Sequence, residues 1–205
     1  MAGESPSLDF TLRHVDRLSL LTLVSKDGMN RLTRKKVSAL EKEIRNIASG
    51  TAPVLPLIIS GERNFSVGAD LNEIRQLRGP VALQFSYLGQ SLMTAIESYP
   101  APVIAVIEGH CMGGGFDLAL ACHRRIAAPH AVFGHRGAAL GLITGWGGTQ
   151  RLPRLIGKGQ ALELFVAAEK VTAARALAIG LIDAIAHDPL AEALRQLGNP
   201  ESVGN

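Results

Sequence analysis

Two clusters of glycine and other small residues are where this sequence could do chemistry. The first runs Gly61-Glu62-Arg63-Asn64-Phe65-Ser66-Val67-Gly68-Ala69-Asp70-Leu71. The second runs Gly109-His110-Cys111-Met112-Gly113-Gly114-Gly115-Phe116-Asp117. Small side chains at 66, 68 and 69, and the triplet at 113–115, let a ligand approach the main chain closely. Each cluster follows an apolar run and precedes a helical pattern. Each therefore ends at a helix N-terminus, where exposed N–H groups attract developing negative charge. Two such junctions can aim two N–H groups at one oxygen, which is what an enolate or a tetrahedral oxyanion needs. A glycine triplet taken alone also fits a tight turn with close packing. No Lys-Ser/Thr follows the glycines, so the phosphate-binding P-loop pattern fails, and the G-x-G-x-x-G spacing of a dinucleotide site fails too.

The elements that must position these clusters are read from periodicity. Leu18 to Val24 has β character, and Asp27-Gly28 marks a turn. Val37, Leu40, Ile44 and Ile47 recur at three- and four-residue spacing, predicting a helix over 33–47. Val54 to Ile59 reads as a buried strand, with Pro56 a mark against a central position. A short helix is expected over 70–77. A longer one opens near Pro80 and stops at about Ser98, before Pro100 and Pro102. Val103 to Ile107 is the next strand, followed by a helix over 113–122. Short strand pieces are expected within 126–133 and helices over 147–156 and 159–168. One more helix has Thr172 as N-cap and Gly180 as its closing glycine, and strand returns over 181–185. Strands alternating with helices make the class α/β.

Composition narrows the function classes. The chain has 205 residues, of which 47% are hydrophobic, enough for one domain with its own core. The net charge is +3 and the basic residues are scattered rather than striped, which argues against nucleic-acid binding. No basic start followed by an apolar run opens the sequence, and no stretch is apolar enough for a membrane span. The expectation is a cytoplasmic protein with loose tails over 1–7 and 198–205. Cys111 and Cys122 read as two buried thiols. His110, Cys111, Cys122 and His123 lack CxxC or HExxH spacing, so no metal site is expected.

At this point the residues resemble a known family, the crotonase (enoyl-CoA hydratase/isomerase) superfamily. Asn64 to Leu71 resembles its first signature and Val106 to Gly115 its second. Gly145-Trp146-Gly147-Gly148-Thr149-Gln150-Arg151-Leu152 and Thr172 to Ile182 resemble the stretches that follow, and Asn30 also fits. The resemblance covers roughly 10–187 in order. It implies a spiral of ββα units over 1–187, with 188–205 a shortened C-terminal helical segment and tail. It implies an acyl-CoA substrate, with coenzyme A part of that substrate and no separate cofactor. The N–H groups of Ala69 and Gly114 would bind the thioester carbonyl, and Ala69, Asp70, Leu71 and Asn72 would border the path of coenzyme A. A homotrimer or dimer of trimers is the implied assembly.

The resemblance also locates a break. Hydratases of this family activate water with two glutamates. The first falls here at Asp117, which leaves it as the matched acid/base with one methylene less reach. The second, aligned through Phe133-Gly134 and Gly141, falls at Gly137, which has no side chain. The flanking His135 and Arg136 stand as candidate substitutes for that glutamate, although the reading favours surface or structural roles for both. The aspartate that several other branches place before the downstream glycines falls at Gly145. The sequence therefore leaves two readings: an enzyme that stabilises a thioester enolate, or a catalytically weak or inactive acyl-CoA binder.

Overall fold

The computed structural model describes residues 9–15, 17–50 and 53–198. The expected loose tails, Gly198 apart, lie outside them. The sheet is organised on β4 (Val103–Ile107), all five residues of which are buried. Val103, Ala105 and Ile107 pack into one core, and Ile104 and Val106 into another on the opposite face. An unbroken apolar run is what a central parallel strand, covered on both faces, requires. On one side β4 pairs with β3 (Leu57–Gly61), which pairs with β2 (Leu18–Leu23). On the other it pairs with β6 (Arg124–Ala127), which pairs with β9 (Ala184–Ile185). These pairings are parallel, whereas β1 (Phe10–Val15) closes the edge antiparallel to β2.

A second, three-stranded sheet holds β5 (His110–Met112), β7 (Val132–Gly134) and β8 (Val171–Thr172). The chain leaves β4 for β5 and then enters helix α4 (Gly114–Ala121); it leaves β6 for β7 in the same way. Each pair gives its first strand to the large sheet and its second to the small one. This is the α/β spiral of ββα units expected from the sequence. Helices α1 (Arg34–Ala48), α2 (Leu71–Gln76) and α3 (Gly79–Glu97) precede β4. Downstream come α5 (Gly148–Ile156), α6 (Lys158–Ala167) and α7 (Ala173–Ala178). Finally α8 (Pro189–Gly198) covers the second face of the large sheet, with Ala193 against Ile58, Ile104, Val106 and Ile126.

The cap residues act as read. Thr33 and Thr172 accept the N–H groups of Lys36 and Arg175 at the starts of α1 and α7. Two expectations need correction, and one strand had none. Pro56 does not demote its strand: β3 begins one residue later, is central, and the Pro56 carbonyl accepts the Ser19 N–H (2.8 Å). Strand β1 carried no signal that the sequence reading used. The return to strand at 181 is delayed to 184, because Leu181 and Gly180 donate back to Ala176 (2.8 Å) and Leu177 (3.1 Å). That double bond, with Gly180 at φ +75°, is a Schellman closure of α7 and uses the main chain a strand would need. Among the described residues no helix is long and apolar enough to cross a membrane.

Candidate active site

The two glycine clusters meet. Ser66 and Cys111 form a parallel bridge, in which Ser66 N–H donates to His110 O (3.0 Å) and Met112 N–H to Ser66 O (2.9 Å). Asn30 ties the first cluster from beneath, its Nδ2 donating to Glu62 O (3.2 Å) and Asn64 O (2.7 Å). Gly68, at φ +91°, then lies so close to the second cluster that a Cβ there would sit 2.6 Å from Met112 O and 2.9 Å from Gly114 N. Leu32 bridges Ala69 by donating to Gly68 O (2.9 Å) and accepting from Asp70 N–H (3.3 Å). The Ala69 N–H consequently faces away from that bridge. Gly114 opens α4, where an N–H has no partner within the helix. Among the described residues neither N–H donates to the protein. Trp146 supports Gly114 from the other side: a Cβ on Gly114 would lie 2.3 Å from its ring.

Asp70 caps α2, its Oδ1 accepting from Asn72 (2.7 Å) and Glu73 (3.2 Å), while Leu71 and Asn72 are exposed. The three thus stand at the mouth of the first cluster, with the Asp70 carboxylate committed to the main chain.

Asp117 follows Gly114 by three residues, on the same face of α4. It is 2% exposed, and its Oδ2 accepts the Thr144 hydroxyl. Its Oδ1 lies 3.1 Å from His135 Nε2. The two atoms are close without the alignment of a hydrogen bond, and neither has another partner among the described residues. The surface reading of His135 is therefore overturned. The ring is buried between Phe116 and Phe165, with centroid distances of 5.0 and 5.3 Å. Strand pairing carries it there: β7 pairs with β5, Gly134 O accepts the Gly113 N–H (2.9 Å), and His135 is the next residue. Arg136 is exposed.

His135 and Thr144 open onto a cavity of about 610 Å³. Leu142, Ile143, Leu162, Phe165 and Val166 give it apolar walls, and Lys158 and Gly137 also line it. Asp117 is not in its wall. A smaller hollow of about 370 Å³ lies against Tyr99, Arg124 and Leu197, on the α8 face of the sheet, and holds none of these groups. Burial pushes the thiol of Cys111 well up and that of Cys122 to about 12, so neither is a nucleophile. Both are free. Among the described residues no group of three or more His, Cys, Asp or Glu is placed to hold a metal.

The sequence profile of the enoyl-CoA hydratase/isomerase family matches residues 18–199. The chain belongs to the enoyl-CoA hydratase/isomerase family. It is 36% identical over 175 residues to a crotonyl-CoA hydratase of Syntrophomonas wolfei, covering 85% of this chain and 67% of that protein. It is 47% identical over 139 residues to a probable enoyl-CoA hydratase of Bacillus subtilis, covering 67% of this chain and 54% of that one. The chain thus spans about two thirds of one relative's length and about half of the other's. A solved enoyl-CoA hydratase from Bacillus anthracis superposes with a TM-score of 0.87 at 31% identity, covering 93% of this chain and 75% of that one. The structure brings the main chain at Ala69 and Gly114 close together, with Asp117 one turn further along α4. Sequence reasoning could not place the ring of His135, and it missed the hydroxyl of Thr144 and the support from Trp146. The signal that could have found His135 was its place directly after a short strand bound to pair beside the glycine turn.

Proposed function

We propose that this chain binds a coenzyme A thioester with an apolar acyl group and stabilises its enolate. The thioester oxygen takes the N–H groups of Ala69 and Gly114, and Asp117 is the carboxylate that drives proton transfer. The observation that carries this reading is the approach of Gly68 to Gly114, which leaves two N–H groups without protein partners beside one buried carboxylate. Donors fixed in place before reaction stabilise developing charge without reorganisation. The apolar cavity onto which His135 and Thr144 open suits an acyl chain, and its volume lies in the range of small-molecule sites. Asp70, Leu71 and Asn72 border the coenzyme A path, no separate cofactor is used, and a homotrimer or dimer of trimers is the assembly.

Gly137 favours a second reading, an acyl-CoA binder with little or no turnover, because the position of a second carboxylate has no side chain. Calorimetric titration with butanoyl-CoA, beside a crotonyl-CoA hydration assay, tests both. Binding with hydration far below the usual turnover of about 10 per second is the expected result. No binding would refute both readings, and hydration at ordinary enzyme rates would refute the shortage of a second carboxylate.

A further inference from the structure

The geometry points to His135 as the general base of this site, removing the proton from C2 of the acyl group, with Asp117 and Thr144 as its positioning residues. This rests on the acyl-CoA reading above. Asp117 Oδ2 accepts the Thr144 hydroxyl, and Oδ1 is buried against His135 Nε2 at 3.1 Å without an aligned hydrogen bond. Asp117 has 2% exposure and no share of the cavity wall, whereas His135 is in that wall. The cavity lining includes two ionisable side chains, His135 and Lys158; Lys158 is exposed and carries a cation, which cannot take a proton. The imidazole is fixed between two phenyl rings. Gly148 keeps its contact with Asp117 open, since a Cβ there would fall 2.2 Å from Asp117 Oδ1 and 2.9 Å from His135 Nε2.

The step balances without a co-reactant. The C2–H bond breaks as an N–H bond forms on the neutral ring, and the electron pair passes into the thioester enolate. The enolate oxygen is held by Ala69 and Gly114, and the new imidazolium by the adjacent Asp117 carboxylate. Contacts of this kind commonly align only when the charged state forms. The proton then returns to C2 or, in a 3-enoyl thioester, to C4 as the double bond moves to C2–C3, and the ring is neutral again. A single base suits this shuttle and does not suit water addition by two carboxylates.

The test follows exchange of the C2 hydrogens of butanoyl-CoA with deuterium oxide, using the whole chain, with binding read from the single tryptophan, Trp146, beside Gly114. The wild type binds and exchanges. His135→Asn and His135→Gln bind within about threefold of it but exchange at least about 100-fold more slowly. His135→Ala regains exchange when free imidazole is added. Asp117→Asn lowers the maximal exchange rate by about tenfold, leaves half-saturation unchanged and gains nothing from imidazole. Absence of binding by the wild type would sink the acyl-CoA reading. Binding without wild-type exchange, or exchange undiminished in both His135→Asn and His135→Gln, would overturn the role of His135 alone.

Discussion

Ala69 and Gly114 present main-chain N–H groups without protein partners among the described residues, whereas Asp117, His135 and Thr144 form a buried cluster of side chains, and the two halves should respond differently to substitution. In the first half, position is set by turns, bridges and a helix start, and at Gly68 glycine is required because neighbouring main chain fills the space of a Cβ. In the second, the atoms that a Cβ at Gly148 would meet belong to side chains rather than to main chain. The first half should therefore fail by loss of structure and binding together, and the second by loss of proton transfer with binding kept.

The largest effect is expected at Gly68. Its φ of +91° is costly for any residue with a Cβ, and the atoms that Cβ would meet, Met112 O at 2.6 Å and Gly114 N at 2.9 Å, are both main chain. Gly68→Ala is expected to cost about 3 kcal/mol of stability from strain and overpacking. Thermal unfolding should fall by roughly 10 °C for a chain of this size. Affinity for butanoyl-CoA should drop with it. An unchanged melting temperature and an unchanged affinity would show that the close approach of the two clusters is not what builds the binding half.

Gly148 makes the same test of the other half with a smaller effect. A Cβ there would press on Asp117 Oδ1 and His135 Nε2, side-chain atoms that must shift to make room for it. Gly148→Ala is expected to bind butanoyl-CoA within about twofold of wild type, at a stability cost of about 1 kcal/mol. Its C2 exchange should fall by at least about tenfold, because small displacements of catalytic groups are expensive. Loss of binding in step with exchange would break the proposed division between main-chain and side-chain halves.

The division also explains what could be read in advance. Gly68, Gly113 and Gly114 were legible because main-chain geometry follows from local residue types, and Thr33, Thr172 and Gly180 were legible as caps for the same reason. The uninterrupted apolar run of β4 gave the central strand. His135 was not legible: its burial depends on β7 pairing with β5, some twenty residues back in the chain, and on Phe165 arriving from α6. Thr144 depends likewise on a loop whose path no local pattern dictates. Strand β9 was placed too early because the Schellman bonds of α7 are a main-chain alternative that competes with strand pairing. Pro56 was weighed as a residue within a strand when it stands just before one.

The smallest effect is expected where the sequence looks most deficient. Gly137 has helical backbone, φ −57° and ψ −44°, which any residue can adopt, so Gly137→Glu carries no backbone strain. Its neighbourhood is less permissive. Gly137 O accepts both Leu140 N–H and Leu142 N–H at 2.8 Å, folding the loop back on itself. A Cβ at 137 would lie 2.8 Å from Leu142 O, a main-chain atom held by that loop. A restored carboxylate must therefore widen the loop before it can reach the cavity, and the proton half remains centred on His135. A well-placed general base contributes roughly 100-fold or more, and Gly137→Glu should raise crotonyl-CoA hydration by no more than about threefold. Hydration assays on the variant beside the wild type decide it. A gain approaching the full contribution of a base would mean that the side-chain half is a two-carboxylate site lacking one group, and that the pairing of His135 with Asp117 does not define its chemistry.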